Sequence, residues 1–255
     1  MENKYFSNTI ARAFKIMEML AKHKSAGLKE IADYLNAPRS SIFNVLYTLE
    51  KLGYVNKNSQ NFYELNAKVM FLANSFLSQN DLRFIVKPFM KEIVLTTRET
   101  CHLAVLLKSS YEIVYIDQVQ SPQTVSLKGY IGAVFPAYAT SLGKVLLANL
   151  EDSEFEKFLN QVDLQPLTEH TITSKAELKK EISKAKVQGY AVDNMEIDLG
   201  IRCIAIPVKR INGEVVAAIS ISAPKERMDD VTINNYSRLL LEYGEKISKE
   251  LSNVI

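Results

Sequence analysis

The composition of this 255-residue chain is that of a globular protein, with 47% hydrophobic and 24% charged residues, and its length allows one large domain or two ordinary ones. It has no run of 18 apolar residues, so no membrane-spanning helix is expected. Polar first residues and only two cysteines indicate a cytoplasmic protein without a disulfide framework. Residues 1–70 carry a net charge of +4 and the remainder −2, which suits the amino-terminal part to phosphate binding.

The amino-terminal segment predicts a helix followed by a helix-turn-helix motif. In the first helix one apolar face is formed by Ile10, Ala13, Phe14, Met17, Leu20 and Ala21. Over residues 28–55, apolar side chains recur at i, i+3, i+4 and i+7 from Leu28 and again from Ile42. Pro38 suits the first turn of the second helix, and Gly53 suits its end. That helix turns polar and aromatic groups away from its apolar stripe, as a recognition helix does in the major groove.

Two short strands are predicted next, at residues 54–55 and 62–65, with the polar turn NKNSQN between them. Together these elements make a winged helix of residues 1–65, in which the hairpin is the wing. Residues 66–80 predict a connecting helix. A further helix from Leu82 to Arg98 contains Pro88 and is expected to turn its apolar side inward: Ile85, Phe89, Ile93 and Val94.

The rest of the chain, residues 81–255, alternates strands and helices. The strand-like segments are CHLAVLLK, YEIVYIDQV, QTVSLK, YAVDN, CIAIPVKR and EVVAAISIS. Helices are predicted for SLGKVLLANL and the charged stretch after it, for residues 174–188, and from Asp230 onward. Ser174 suits the N-cap of the helix of residues 174–188, and Gly189 suits its end. Asn212-Gly213 predicts a hairpin, so a mainly antiparallel sheet is expected.

Six segments in this order resemble the IclR family of bacterial transcription regulators. They are ARAFKIMEML, LKEIADYLNAPRSSIFNVLYTLEKLGYV, PFMKEIVLTTRETCHLAVL, AYATSLGKVLLA, GYAVDNMEIDLGIRCIAIPV and VAAISISAPKERM. The resemblance implies an α+β architecture: a winged helix-turn-helix (1–65), a linker helix (66–80) and a GAF-like α/β effector-binding domain (81–255) with a mainly antiparallel sheet. It also implies a homodimer or homotetramer that binds double-stranded operator DNA, as repressor or activator, under the control of a small-molecule effector. The usual family effectors are small organic acids or aromatic metabolites, and no cofactor or metal is expected.

The residues expected to contact DNA lie on the recognition helix and beside it. The start of a helix offers N–H groups and a dipole that favour phosphate, and Asn44 can pair with adenine. The family often carries Arg in place of Asn44, so the preferred base stays open. The alternative is an exposed helix face without a partner. The full set is Arg12, Arg39, Ser40, Ser41, Asn44, Tyr47 and Lys57.

The residues expected to bind the effector lie in the carboxy-terminal part. Ser220 and Ser222 share one face of their strand, and buried hydroxyls need partners that a carboxylate can supply. By resemblance, the family's pocket matches Ser141 and Leu142 through the backbone and Asp193, Cys203, Ser220 and Ser222 through side chains, with Leu127, Phe135 and Ile201 as apolar walls. Tyr138 stands where many relatives have His, so the ligand is not implied.

Other interpretations of these residues remain. Cys203 alone is typical of a small buried hydrophobe, and Asp193 of turn chemistry. An enzyme would need Cys203, Asp193 and either His102 or His170. Neither histidine lies in a recognisable catalytic motif, so catalysis is not expected. A further alternative is that the winged helix binds a protein rather than DNA.

Overall fold

The computed structural model describes residues 5–78, 81–125 and 129–253, and the chain divides into two units, Met1–Gln79 and Asn80–Ile255. Each unit has its own buried apolar cluster. None of the helices in the described parts combines the length and apolar character needed to cross a bilayer.

The first unit contains a helix, the helix-turn-helix pair, a three-stranded antiparallel sheet of order β1-β3-β2 and a further helix. The predicted hairpin is therefore confirmed, whereas β1 was not predicted. The elements are α1 (Asn8–His23), β1 (Ser25–Ala26), α2 (Leu28–Tyr34), α3 (Arg39–Lys51), β2 (Val55–Lys57), β3 (Tyr63–Leu65) and α4 (Val69–Ser78).

Helix α3 buries the predicted apolar stripe, from Ile42 to Leu49. It ends where expected, because Gly53 adopts a φ of +78° that an L-side chain rarely takes. The Tyr54 N–H then donates to the Leu49 carbonyl at 2.9 Å and closes the last turn. The local signals of the motif thus set the limits of its second helix.

Helix α1 departs from its predicted face. Its buried residues are Ile16, Met19 and Leu20, while Ile10 and Phe14 are 59% and 58% exposed. Apolar residues recur at helical spacing on more than one side of α1. The side that packs against α3 and β3 is decided by the tertiary fold rather than by the periodicity.

The second unit is built on a six-stranded sheet of order β6-β5-β4-β9-β8-β7, in which every neighbouring pair is antiparallel. The expectation of a mainly antiparallel sheet is confirmed, as is the hairpin at Gly213, whose φ is +86°. The elements are α5 (Asp81–Thr97), β4 (Thr100–Leu107), β5 (Glu112–Val119), β6 (Val134–Pro136), α6 (Ser141–Leu147), α7 (Asp152–Gln161), α8 (Lys175–Gln188), β7 (Ala191–Asn194), β8 (Ile201–Lys209), β9 (Val215–Pro224) and α9 (Asp230–Asn253).

Three details of the second unit differ from the sequence expectations. Gln123 to Val125, the described part of the segment QTVSLK, is not a strand. The preceding Ser121 donates from its N–H to Thr100 Oγ1 and from its hydroxyl to the Arg98 carbonyl. In contrast, β6 was not predicted. Helix α5 buries Leu82, Val86 and Met90 together with Ile93 and Val94, whereas the predicted Ile85 and Phe89 are only half-buried.

The two faces of the large sheet differ in character. One face packs against α5 and α9 and is largely apolar, with Cys101, Leu103 and Ile219 among its buried residues. The opposite face lies beneath α6 and carries buried polar side chains, among them His102 and Ser220. Since successive residues of a strand point to opposite faces, the polar groups are collected on the α6 side.

Candidate DNA-binding surface and effector site

The solvent side of α3 carries the predicted recognition residues. Ser40, Asn44 and Tyr47 are exposed while the apolar stripe of the helix is in the core. The rings of Phe43 and Tyr47 stack with centroids 6.4 Å apart, and the Lys51 ammonium lies 5.3 Å from the Tyr47 ring centroid. The surface offers hydroxyl, amide, aromatic and cationic groups, which are the chemistries that contact bases and phosphates.

The start of α3 is also suited to an anion. The Pro38 carbonyl accepts from the N–H groups of Ser41 and Ile42 at 3.0 and 3.1 Å. The N–H groups of Arg39 and Ser40 therefore precede the first helical hydrogen bond and lie at the positive end of the helix dipole. Both residues are exposed, so a phosphate can reach these N–H groups and the Arg39 guanidinium together.

Two predicted cations flank the recognition helix. Arg12, on α1, donates from Nη1 to Ser41 Oγ at 2.9 Å, and both residues are partly buried. Lys57 is exposed at the end of β2, with its Nζ 5.5 Å from the Tyr63 ring centroid. The structure thus joins Arg12 to the recognition helix and leaves Lys57 on the wing.

Three predicted effector residues are neighbours across the large sheet. Asp193 on β7 pairs with Cys203 on β8, and Cys203 pairs with Ser222 on β9. All three are at least nine-tenths buried. Adjacent strands lie about 4.8 Å apart, so these side chains form a continuous row on the face beneath α6. Ser220 shares that face, two residues before Ser222.

The remaining predicted effector residues are less closely grouped. Ser141 and Leu142 are buried at the start of α6, which packs against β7, β8 and β9. Phe135, on β6, and Ile201, at the start of β8, are half-buried. Leu127 lies outside the described residues.

A glycine permits the close packing of α6. A Cβ at position 143 would lie 2.2 Å from the Ala137 carbonyl oxygen, so any side chain there would displace α6 from the adjoining turn of 3-10 helix. Tyr138 belongs to that turn and is buried, and its hydroxyl donates to the Gln165 carbonyl at 3.0 Å. Tyr138 is therefore already hydrogen-bonded within the protein.

Burial determines the ionisation of Asp193 and Cys203 in the row that they form with Ser222. Asp193 Oδ1 accepts from the Glu196 N–H at 2.7 Å, yet burial raises the pKa of Asp193 to about 7. Burial also raises the pKa of the Cys203 thiol well above its usual range. Cys203 is consequently a neutral thiol at physiological pH and lacks the activated thiolate of a nucleophile.

A buried ion pair beside the site was not predicted from the sequence. Lys144, in the middle of α6, is 1% exposed; its ammonium donates to the Val192 carbonyl at 3.0 Å and to Glu196 Oε1. The pair ties α6 to β7 and to the turn after it. A lysine inside the apolar run SLGKVLLANL is the one sequence signal that could have indicated a buried partner.

The same sheet face contains polar atoms whose hydrogen-bonding capacity is not used. Ser220 Oγ, His102 Nε2 and Gln118 Oε1 on this face, and Glu196 Oε2 in the turn after β7, are shielded from solvent and have no hydrogen-bond partner among the described residues. Buried polar atoms in native proteins are normally paired. This face can therefore accept a polar ligand. The sequence analysis considered His102 only as a possible member of a catalytic site, and it did not consider Gln118.

The described ranges contain no cluster of three or more His, Cys, Asp or Glu side chains that could hold a metal ion. Cys101 and His102 lie on opposite faces of the sheet, as their adjacency on β4 predicts.

Comparison with known proteins places both units in one family. The family model of the bacterial transcriptional regulator IclR C-terminal domain matches residues 74–249, and the family model of the IclR helix-turn-helix domain matches residues 9–59. The HTH-type transcriptional regulator KdgR of Escherichia coli is 33% identical over 245 residues, which cover 96% of this chain and 92% of the relative. The transcriptional repressor IclR of the same organism is 29% identical over 242 residues, 94% of this chain and 88% of the relative.

A solved structure gives the same result. The crystal structure of the Thermotoga maritima IclR superposes with a TM-score of 0.70 at 33% identity and covers 96% of this chain and 98% of the other. The similarity therefore spans the winged helix and the sheet domain alike.

Proposed function

The chain belongs to the IclR family of bacterial transcription regulators, and on that premise we propose that a small carboxylic acid, bound on the polar face of the large sheet, changes its affinity for operator DNA. The chain is a DNA-binding regulator with a helix-turn-helix domain and a carboxy-terminal effector domain, and its relatives are regulators rather than enzymes. The alternative of a Cys203-dependent enzyme is therefore set aside.

In this proposal α3 enters the major groove. Arg39 and Ser40 hold phosphate at the start of the helix, Asn44 contacts a base edge, and Lys57 and Arg12 hold the backbone on either side. The exposure of Ser40, Asn44 and Tyr47 supports this arrangement. Ser41 acts by positioning Arg12, to which it is hydrogen-bonded.

A second copy of the chain completes the DNA-binding unit. Large apolar side chains of the first unit are exposed: Ile10 and Phe14 on α1, and Met70, Phe71 and Phe76 on α4. Apolar faces of this kind favour association, and two recognition helices match a palindromic operator with half-sites about one helical turn apart. A homodimer or homotetramer is thus part of the proposal.

The effector is proposed to bind the row formed by Asp193, Cys203 and Ser222, with Ser220 beside it. The observation that carries this proposal is that Ser220, 1% exposed, has a hydroxyl without a partner in the described parts of the chain. A carboxylate accepts hydrogen bonds from the Ser220 hydroxyl and from Asp193 in its protonated form, which burial favours. The N–H groups of Ser141 and Leu142, at the start of α6, add two donors.

Regulation requires that the effector bind one state of the regulator better than another. A ligand without this preference leaves DNA affinity unaltered, however tightly it binds. Coupling free energies between two such sites are typically about 1–3 kcal/mol, which corresponds to a change in operator affinity of roughly 5- to 150-fold.

A thermal-shift screen of small carboxylic and sugar acids tests the proposal. Acids that raise the melting temperature of the wild-type protein are expected to lose that effect in Ser220→Ala and to keep it in Ser183→Ala, which alters an exposed serine on α8. The same acids are then added to a gel-shift titration with operator DNA. Tight binding that leaves operator affinity unchanged contradicts the proposed regulation.

A further inference from the structure

A second polar row crosses the sheet beside the first. Ser220 on β9 pairs with His102 on β4, and His102 pairs with Gln118 on β5. These three residues are named here the polar row. They lie on the same face of the sheet as Asp193, Cys203 and Ser222, and Ser220 is two residues from Ser222 along β9. The polar row therefore extends the proposed effector site toward β5.

Each member of the polar row presents an unused polar atom. Ser220 Oγ, His102 Nε2 and Gln118 Oε1 are buried and make no hydrogen bond to any described residue. Ser220 and His102 are 1% and 0% exposed. The Gln118 amide nitrogen donates to Gln120 Oε1 at 3.3 Å, so only the acceptor Oε1 of Gln118 is without a partner among the described residues.

The His102 and Gln118 atoms meet at one place. A Cβ at position 129 would lie 2.6 Å from His102 Nε2 and 3.0 Å from Gln118 Oε1, so both atoms converge beside Gly129. The imidazole is held there by its stack on Tyr115, with ring centroids 4.5 Å apart. One small group can bridge the two atoms only by displacing the Gly129 backbone, which packs against both.

The protonation of His102 defines the complementary group. Burial lowers the pKa of His102 to about 4, so the ring is neutral at physiological pH and has one donor and one acceptor nitrogen. Nδ1 lies 3.5 Å from Ser222 Oγ; when it accepts from that hydroxyl, the ring proton is on Nε2. Nε2–H then donates, whereas Gln118 Oε1 accepts. Among small uncharged groups, a hydroxyl satisfies both, because it accepts and donates at once.

We propose that His102 and Gln118, with Ser220, form a hydroxyl-selecting subsite, so that the effector is a hydroxylated carboxylic acid in preference to its deoxy counterpart. This inference rests on the proposed effector function. A methylene at that place leaves two buried polar atoms unpaired, which lowers affinity about ten-fold or more.

Matched acids and two conservative variants test the subsite. Lactate is compared with propionate, threonate with butyrate, and gluconate with hexanoate, each by thermal-shift titration. His102→Phe keeps a ring against Tyr115 and removes Nε2, and Gln118→Met keeps the side-chain length and removes Oε1. His170→Phe, an exposed histidine outside the sheet, is the matched control. For at least one pair, the wild type and the control are expected to favour the hydroxylated acid about ten-fold, and both variants to reduce this preference to about three-fold or less.

The ligand-free proteins provide an independent readout. Because His102→Phe removes both the unpaired Nε2 and the long 3.5 Å contact of Nδ1 with Ser222 Oγ, its melting temperature is expected to stay close to that of the wild type. A lowered melting temperature with an unchanged preference for hydroxylated acids would assign His102 a purely structural role and overturn the proposal.

The remaining outcomes separate this proposal from the one on which it rests. If the wild type binds hydroxylated and deoxy acids equally and Ser220→Ala abolishes both, the effector site stands and the subsite is wrong. If the wild type binds none of the acids, the carboxylate effector is itself overturned, and the subsite with it.

Discussion

The recognition helix α3 and the polar face of the large sheet present similar side chains at opposite degrees of exposure. On α3, Ser40 and Asn44 are exposed, and a separate apolar stripe holds the helix in place. On the sheet, Ser220, Ser222 and Asp193 are themselves part of the buried interior. Residues proposed for function are therefore separable from stability in the first region and inseparable from it in the second.

This difference has a physical origin. DNA is a large partner that meets a protein at its surface, so exposed side chains suffice and cost little stability. A small ligand is recognised by surrounding it, so polar groups must be taken out of water before the ligand arrives, and each unpaired group lowers the stability of the ligand-free protein. The predictions below test this contrast, from the largest expected effect to the smallest.

Lys144→Met is expected to destabilise the second unit by about 3–5 kcal/mol, because it leaves the buried Glu196 carboxylate without its counter-charge. Lys179→Met is the matched control, since the Lys179–Glu156 pair is about half exposed and such pairs contribute roughly 0–1 kcal/mol. Urea unfolding measures both free energies. Equal losses in the two variants would show that the buried region beside the sheet tolerates an unpaired charge and would remove the contrast.

Arg39→Ala and Lys57→Ala are each expected to weaken DNA binding roughly ten-fold or more, for all sequences alike, since each removes a charge-assisted phosphate contact. Their unfolding free energies should match the wild type, because both side chains are exposed. Gel-shift titrations at several salt concentrations should also show a shallower salt dependence. Lys22→Ala, another exposed lysine of the first unit, is the control.

Wild-type binding that barely depends on salt would contradict the phosphate contacts. It would favour the alternative in which the winged helix binds a protein partner.

Asp193→Asn is expected to remove part of the pH dependence of stability. The pKa of Asp193 is raised to about 7 in the folded protein and is about 3.9 when unfolded. Between about pH 4 and pH 7 the carboxyl is therefore protonated in the folded state and ionised in the unfolded state, so the folded protein loses stability as pH rises through this range. The stability of the wild type relative to the variant should therefore fall by about 2 kcal/mol between pH 5 and pH 8. Urea unfolding across that range measures it. Asp152→Asn, at an exposed carboxylate, should show no comparable change.

Asn44→Ala is expected to alter base preference by about 1 kcal/mol, at the lower end of what one side chain contributes to discrimination, while leaving the salt dependence unchanged. Binding of a randomised duplex library followed by sequencing measures the preference. Thr48→Ala is the control, because the Thr48 hydroxyl is already bonded to the Asn44 carbonyl at 2.8 Å. An unchanged preference in Asn44→Ala would remove this residue from the base-reading surface.

The polar face of the sheet shows where sequence reasoning reached its limit. The two-residue spacing of Ser220 and Ser222 placed them on a common face, and burial confirms that this face is internal. The partners of that face come from other strands: His102 is over a hundred residues away in the chain and meets Ser220 through the β4–β9 register. No local pattern reports such a register, so His102 and Gln118 entered the site only with the structure.

The sequence alone determined the elements whose signals are local. Apolar spacing, Pro38 and Gly53 were enough for the helix-turn-helix, because a helix is defined by residues three and four apart. Only the tertiary structure decided the buried side of α1, the strand β6 and the burial of Lys144 against Glu196, since each depends on segments distant in the chain. Local backbone geometry is determined by residues that are close in sequence, whereas burial and strand pairing depend on the packing of the whole molecule.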